Sequence, residues 1–300
     1  MPLSLDFAFE GFRIIREKPK LILFWGLVLL IGGVLSEILM VAIAGPDMDR
    51  VQAALSPPVD PNVFVTLMQR ASPAFTAAMV AMLPIQLVSN AVLACAVFRA
   101  VWGEKDDRFG YLRFGVDEFR QIAVSVLFML IGIALVFAVT MAAGAIAASV
   151  GNNAGAAAVV LALVLLGFIL VALLLLRLSL CTVQSFDRRT IDIFGSWKLT
   201  AKHGWALFGG YLVTAVMMVF VFILCRGIFS ALVMMASGGQ LSVAEQRPDM
   251  TSLQAYLKPS VIAGIIFMNL LAAPLINALK LGAQAAAYRT LAGQTPDPGL

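Results

Sequence analysis

Ionisable side chains inside apolar stretches are the residues of this chain best suited to chemistry. Glu37 and Arg226 lie in the outer part of two apolar runs, at similar depth and with opposite charge. Such groups are costly in lipid and normally face a partner or a cavity. We therefore predict that they form a buried charge pair or share a polar pocket. The alternatives are that Arg226 extends to the outer interface and that Glu37 is protonated.

A second set of polar side chains recurs near the inner ends of alternate apolar runs. Its basic members are Arg99, Arg177 and Lys280, and its amides are Asn90, Asn277 and Gln284. A basic pocket between helices at this depth suits an anionic lipid headgroup. We predict that these six residues ring a lipid-binding pocket. The alternative is that each basic side chain reaches the inner interface independently.

Patterns typical of catalysis or metal binding are missing from the sequence. His203 is the only histidine, and Cys95, Cys181 and Cys225 lie in apolar runs without metal-ligand spacing. There is no glycine-rich phosphate loop and no hydrolase or metalloprotease motif. We therefore expect a protein that is not an enzyme and that holds neither a metal nor another cofactor.

The amino-acid composition indicates that the chain lies in a lipid membrane rather than in water. Of the 300 residues, 61% are hydrophobic and 13% are charged, whereas soluble domains have about a quarter charged residues. A chain this apolar needs lipid around it. The net charge of +4 is typical of basic cytoplasmic loops and does not indicate nucleic acid as a partner.

Six apolar runs are long enough to cross a membrane, so the predicted fold is all-α and polytopic. The runs cover about 21–44, 74–101, 122–150, 155–181, 205–235 and 259–288. The longer outer loops are 45–73 and 238–257, and the short turn at 151–153 makes the third and fourth spans antiparallel neighbours. Fourteen basic residues of the connections lie on the side of the termini and four on the other. This bias predicts a bacterial inner-membrane protein with cytoplasmic termini.

The first residues predict an amphipathic helix in the membrane interface. Between 3 and 18, one helical face is apolar and the opposite face is charged, and Pro19 ends the pattern. The apolar face consists of Leu5, Ala8, Phe9, Phe12 and Ile15.

Similar glycine-containing amphipathic stretches precede the third and fifth spans, which predicts a threefold repeat. Each unit would be an interfacial helix, a span, an outer loop and a returning span. The units are about 3–102, 103–185 and 186–290, within a single integral membrane domain of residues 1–300, and 291–300 form a disordered tail.

One stretch resembles a known family. It contains Arg177-Leu178-Ser179, then Phe194 and the run Ser196-Trp197-Lys198-Leu199-Thr200, then Trp205 and Phe208. This pattern, with Tyr111 to Gly115, resembles the membrane domain attached to some bacterial glycerophosphodiester phosphodiesterases and related YciC-like membrane proteins. The resemblance implies a six-span membrane module. Because the chain ends at Leu300, soon after the sixth span, it does not imply the phosphodiester chemistry of the fused enzymes.

These patterns favour a membrane protein that binds or organises lipid, or supports a protein partner, at the cytoplasmic leaflet. The expected partners are membrane lipids with anionic headgroups. One alternative is a carrier for a small or amphiphilic solute, with broken helices at Pro84 and Pro274. Its polar path would contain Gln86, Asn90, Asn269 and Asn277. Another alternative, which rests on the resemblance, is an accessory subunit of an enzyme that acts on glycerophosphodiesters.

Overall fold

The computed structural model describes residues 5–54, 61–150, 154–239, 249 and 252–294, and every regular element among them is a helix. The α-helices are α1 Glu10–Glu17, α2 Leu21–Ala54, α3 Pro61–Trp102, α4 Val116–Val150, α5 Ala154–Leu178, α6 Cys181–Arg188, α7 Gly195–Thr200, α8 Gly204–Ala236, α9 Leu253–Tyr256, α10 Pro259–Phe267 and α11 Ala273–Leu291. Two 3-10 helices, Leu5–Phe9 and Arg108–Tyr111, precede α1 and α4, and a π-helical turn, Met268–Ala272, joins α10 to α11.

Six helical segments of the described chain are long and apolar enough to cross a membrane, which confirms the predicted number. They are Leu21–Met48, Pro73–Trp102, Arg108–Ser149, Ala158–Arg188, Gly204–Ala236 and Pro259–Leu291. In lipid, a helix satisfies its backbone hydrogen bonds within itself. The chain is therefore a multi-pass α-helical membrane protein. The threefold repeat and the interfacial position of the short helices stay predictions.

The first outer connection is shorter than the sequence predicts. Of the predicted loop 45–73, residues 45–54 and 61–73 are helical, since α2 continues to Ala54 and α3 begins at Pro61. Pro46 lies within α2. Arg50 forms a 3.1 Å salt bridge with Asp47, which lies one turn before it on the same helix. Proline and charge therefore mark the end of the apolar run without ending the helix. Residues 55–60, the turn at 151–153, most of the second outer loop and the tail from 295 lie outside the described residues.

The two faces of the N-terminal segment differ in how they pack against the rest of the protein. Phe7, Ala8, Gly11 and Ile14 are buried, whereas Leu5, Phe9 and Phe12 of the predicted apolar face are 48%, 51% and 39% exposed. Glycine explains the difference. A Cβ at Gly11 would lie 2.5 Å from the carbonyl oxygen of Ala278, and one at Gly210 would meet the Phe7 ring. Close backbone contact with α11 therefore decides which face turns inward.

The main core lies at the end of the bundle that holds α1 and the last turns of α11. Its largest buried side chains are Trp25, Phe98, Tyr111 and Tyr288. Trp25 Nε1 donates a 2.8 Å hydrogen bond to the Gly110 carbonyl, and Lys18 Nζ donates to the Tyr111 hydroxyl at 2.5 Å. These bonds hold in place the loop before α4, in which Phe109, Gly110 and Tyr111 have positive φ angles. Hydrogen bonding to Tyr111 also raises the pKa of Lys18.

The helices α4 and α5 contribute little to this core. They pack along each other, while Phe137, Leu161 and Ile169 are each more than half exposed. The side of α5 that turns toward α8 is therefore free to line a groove.

Candidate functional site

Arg99 lies at the end of α3, and its guanidinium is committed to the start of α4. Its side chain is 4% exposed, and Nη2 lies 2.7 Å from Glu118 Oε1 and 3.6 Å from Asp117 Oδ2. Nη1 donates to the Tyr111 carbonyl at 3.2 Å. The prediction that Arg99 lines a lipid pocket is therefore wrong, because carboxylates that follow it in the sequence neutralise it.

Arg177 lies at the end of α5, where the conspicuous Ser-Trp-Lys-Leu-Thr run docks onto it. Ser196 Oγ and Thr200 Oγ1 both donate to the Arg177 carbonyl, at 2.7 and 3.0 Å. The Arg177 guanidinium lies over the Trp197 ring, 5.2 Å from its centroid. A carbonyl left unpaired at a helix end is satisfied in this way. The run therefore fixes both the end of α5 and the position of its arginine.

The segment before α7 is held from the other side by Asp192. Its Oδ1 accepts from the Gly195 amide at 2.8 Å, and its Oδ2 accepts from Gln184 Nε2 at 2.9 Å. An aspartate three residues before an amide commonly closes such a turn. Asp192 therefore joins α6 to α7 and orients the run that contacts Arg177.

Removing the Ser196 hydroxyl is expected to weaken this helix end. The side chain is buried, so Ser196→Ala loses one hydrogen bond, and we expect unfolding to become easier by about 1 kcal/mol. Ser149→Ala is a matched control, because its hydroxyl bonds to the Ile146 carbonyl at an exposed position. Thermal unfolding of the two purified variants in the same detergent makes the comparison. Equal midpoints would contradict this role for Ser196.

A groove of ≈ 1060 Å³ opens between α5 and α8. We call it the α5–α8 groove. Along its length it is lined by Ile169, Ala172, Leu173 and Leu176 of α5 and by Ala206 and Phe208 of α8. At one end it is lined by Arg177, Lys202 and His203. The groove thus joins an apolar trough to a basic end, and none of these lining residues is acidic.

A smaller cavity of ≈ 340 Å³ borders the same two helices. Lys280 and Gln284 of α11 line it together with Ser179, Tyr211 and Thr214. It shares Ala172 and Leu176 with the α5–α8 groove. Lys280 and Gln284, one turn apart on α11, line this cavity and not the groove that Arg177 lines.

The two asparagines of the predicted lipid site lie elsewhere. Asn277 Nδ2 donates to the Ala273 carbonyl of its own helix at 2.9 Å. Asn90 lines a cavity of ≈ 360 Å³ with Glu37. The predicted ring of six residues is therefore not assembled. The helices that carry these residues pack with different neighbours, which spacing along the sequence does not reveal.

Glu37 is bonded to Tyr256 instead of Arg226. The Tyr256 hydroxyl donates to Glu37 Oε2, and the Arg226 guanidinium lies 5.8 Å from the Phe229 ring centroid on its own helix. Among the described residues, no ion pair joins Glu37 to Arg226. The predicted charge pair is therefore wrong. Burial, together with the bond to Glu37, raises the pKa of Tyr256.

The cavity beside Glu37 has polar side chains in a largely apolar lining that includes Leu29, Met40 and Met82, and we call it the Glu37 cavity. Besides Glu37 and Asn90, it is lined by Ser36, Gln86, Ser89 and Asn269. These side chains come from α2, α3 and the π-helical turn. Arg226 is not among its lining residues, so the predicted pocket shared by the two charges does not form.

Sequence reasoning missed several of these residues. The spacing of Ser196 and Thr200, four residues apart, places both hydroxyls on one helical face and could have indicated a cap. Lys202 follows on the same basic segment. Tyr256 gave no such signal, since it is 219 residues from its partner.

Within the described chain, no group of three or more His, Cys, Asp or Glu side chains could hold a metal ion.

Comparisons of the chain with protein-family models, with curated proteins and with solved structures find no match. The resemblance to the membrane domain of glycerophosphodiester phosphodiesterases therefore stays a prediction from the motif residues.

Proposed function

We propose that this protein binds anionic membrane lipid in the α5–α8 groove and has no enzymatic activity of its own. The observation that carries the proposal is the groove itself, which joins an apolar trough to a basic end formed by Arg177, Lys202 and His203. A diacyl lipid has the same division, with apolar chains and a charged headgroup at the interface. Basic pockets between spanning helices bind such headgroups.

The arginine at the end of the groove is held by contacts with α7. Arg177 is held over Trp197, and the hydroxyls of Ser196 and Thr200 hold its backbone. A guanidinium ordered in advance forms paired hydrogen bonds to phosphate at a lower entropic cost than a free one. Lys202 adds a second positive charge from the adjoining turn.

His203 contributes a polar atom without a partner. Its Nδ1 is buried and accepts or donates no hydrogen bond among the described residues. Buried polar atoms are costly unless they are paired. A phosphate or glycerol oxygen at the basic end of the groove would supply the missing partner.

The direction in which the protein faces follows from its charge. Arg177 and Lys202 belong to the end of the bundle that carries most basic residues of the connections. We infer that this end faces the cytoplasm of a bacterial cell across the inner membrane, with both termini on the same side. The groove would then take its lipid from the cytoplasmic leaflet.

Loss of the basic end is expected to release the lipid. In native mass spectrometry of the full chain in nanodiscs of phosphatidylglycerol and phosphatidylcholine, we expect retained phosphatidylglycerol on the wild-type protein. Each charge near a lipid surface contributes about 1 kcal/mol, or about a fivefold change in occupancy. Retention should therefore fall in Arg177→Gln and in Lys202→Ala, and further in the double variant.

Lys198→Ala is the matched control for this measurement. Lys198 is exposed like Lys202 and lies four residues before it, but it is not among the lining residues of the groove. Equal lipid loss in the two lysine variants would indicate a general effect of surface charge and would overturn the assignment to the groove. So would equal retention of phosphatidylcholine and phosphatidylglycerol by the wild-type protein.

A further inference from the structure

We propose that the Glu37 cavity binds a monovalent cation, for which sodium is the probe. The cavity brings one carboxylate together with hydroxyl and amide groups from three helical segments. Oxygen atoms of this kind are the ligands that hard cations prefer in proteins. This inference is independent of the proposed lipid groove, which shares none of the residues that carry it.

Glycines on α2 let polar side chains from two neighbours approach its backbone. A Cβ at Gly32 would lie 2.2 Å from Ser89 Oγ, and one at Gly33 would lie 2.8 Å from Asn269 Oδ1. Any larger residue at these positions would displace those oxygens. Two ligand oxygens are thus placed against α2 about one helical turn before Glu37.

Asn269 is oriented with its oxygen toward α2. Its Nδ2 donates to the Ile265 carbonyl at 3.0 Å, which leaves Oδ1 beside Gly33. Asn269 lies in the π-helical turn. Pro274, the second residue of the following helix α11, has no backbone N–H to donate to that turn. Turns of this type often accompany functional sites in helices.

Ser36 supplies an unpaired polar atom in the same cavity. The residue is 6% exposed, and its Oγ has no hydrogen-bond partner among the described residues. Glu37, the next residue, accepts the Tyr256 bond through Oε2 and has Oε1 remaining. A bound cation would satisfy both oxygens, whereas an empty cavity leaves a polar group in a membrane without a partner.

The charge of the cavity selects the valence of the ion. Glu37 is the only ionisable side chain among its lining residues, so one positive charge makes the site neutral. A divalent ion would leave an uncompensated charge within the membrane, which is costly. The ligands are oxygens rather than sulfur or imidazole, so the site does not suit soft transition metals.

Sodium binding to the full-length protein in nanodiscs tests this proposal. With radioactive sodium and choline as the replacement ion, we expect saturable binding that weakens by at least about tenfold in Glu37→Gln. Asp47→Asn is the matched control, since Asp47 lies on the same helix, pairs with nearby Arg50 at 3.1 Å and is not among the lining residues of the cavity. This variant is expected to bind sodium as the wild type does.

A second variant keeps the test valid if Glu37→Gln does not fold. Ser36→Ala retains the carboxylate and removes one oxygen, and we expect it to weaken sodium binding several-fold while the thermal midpoint in choline stays close to that of the wild type. Absence of saturable sodium binding, or equal affinity in Ser36→Ala, would overturn the proposal. Lipid retention measured on the same samples reports on the α5–α8 groove separately.

Discussion

Arg99→Ala is expected to destabilise the protein more than any other single change at the basic residues. The substitution would leave the carboxylate of Glu118, which is 0% exposed, without its ion pair. Removing one partner of a buried pair costs about 3–5 kcal/mol. With roughly 2–4 °C per kcal/mol for a domain of comparable size, the midpoint of thermal unfolding in detergent should fall by on the order of 10 °C.

A control and a rescue separate this effect from loss of charge alone. Arg113 also pairs with two carboxylates, at 3.4 and 3.3 Å, but its side chain is 43% exposed. Arg113→Ala should therefore cost less than about 1 kcal/mol. Adding Glu118→Gln to Arg99→Ala removes the stranded charge and should restore part of the midpoint. An Arg99→Ala midpoint equal to that of Arg113→Ala would contradict the buried pair.

The position of Glu118 also explains why sequence reasoning assigned Arg99 incorrectly. Glu118 Oε2 accepts from the Gly115 amide at 2.9 Å, so the carboxylate caps the start of α4 while it neutralises Arg99. An acid three residues after a turn glycine is a helix-start signal that the sequence contains. Equivalent spacing of Arg99 and Arg177 within their spans suggested equivalent roles. The residues that follow each span decide those roles instead.

The spanning helices were predictable because the membrane requires long apolar runs, whereas their ends were not. Hydropathy marks where lipid contact stops, but α2 continues beyond that point to Ala54, because a helix can continue after its apolar run ends. Likewise, the pattern of the N-terminal helix did not show which of its residues pack against the protein. Alternating charge and apolar side chains show which face avoids water, and lipid satisfies that requirement as well as protein does.

The partners of polar groups inside the membrane were the least predictable feature. Opposite charge at similar depth suggested that Glu37 and Arg226 pair. The structure instead satisfies Glu37 with a hydroxyl of Tyr256, a residue outside the spanning segments. Depth alone does not show which helices are neighbours. The small residues that set helix contact were visible in the sequence, and their pairing across the fold was not.

Gly11→Ala is expected to separate α1 from α11 and to destabilise the fold. An added Cβ would lie 2.5 Å from the Ala278 carbonyl oxygen and 2.6 Å from the Leu279 Cα, both backbone atoms. Backbone cannot yield as a flexible side chain does, so the two helices must move apart. Overpacking of this kind costs about 1–3 kcal/mol and occasionally more. We expect a lower unfolding midpoint and faster proteolysis of the N-terminal segment.

Gly144→Ala on α4 tests whether crowding, rather than loss of glycine, is responsible. A Cβ at Gly144 would meet nothing within 4 Å, and alanine favours a helix over glycine by up to about 1 kcal/mol. The two substitutions are chemically identical, yet they should shift the midpoint in opposite directions. A stabilising Gly11→Ala would show that α1 does not pack closely on α11. The reciprocal variant Gly282→Ala, whose Cβ would lie 2.9 Å from the Gly11 amide nitrogen, should reproduce the loss. Because that crossing selects the buried face of the N-terminal segment, both variants should also raise the accessibility of Phe7.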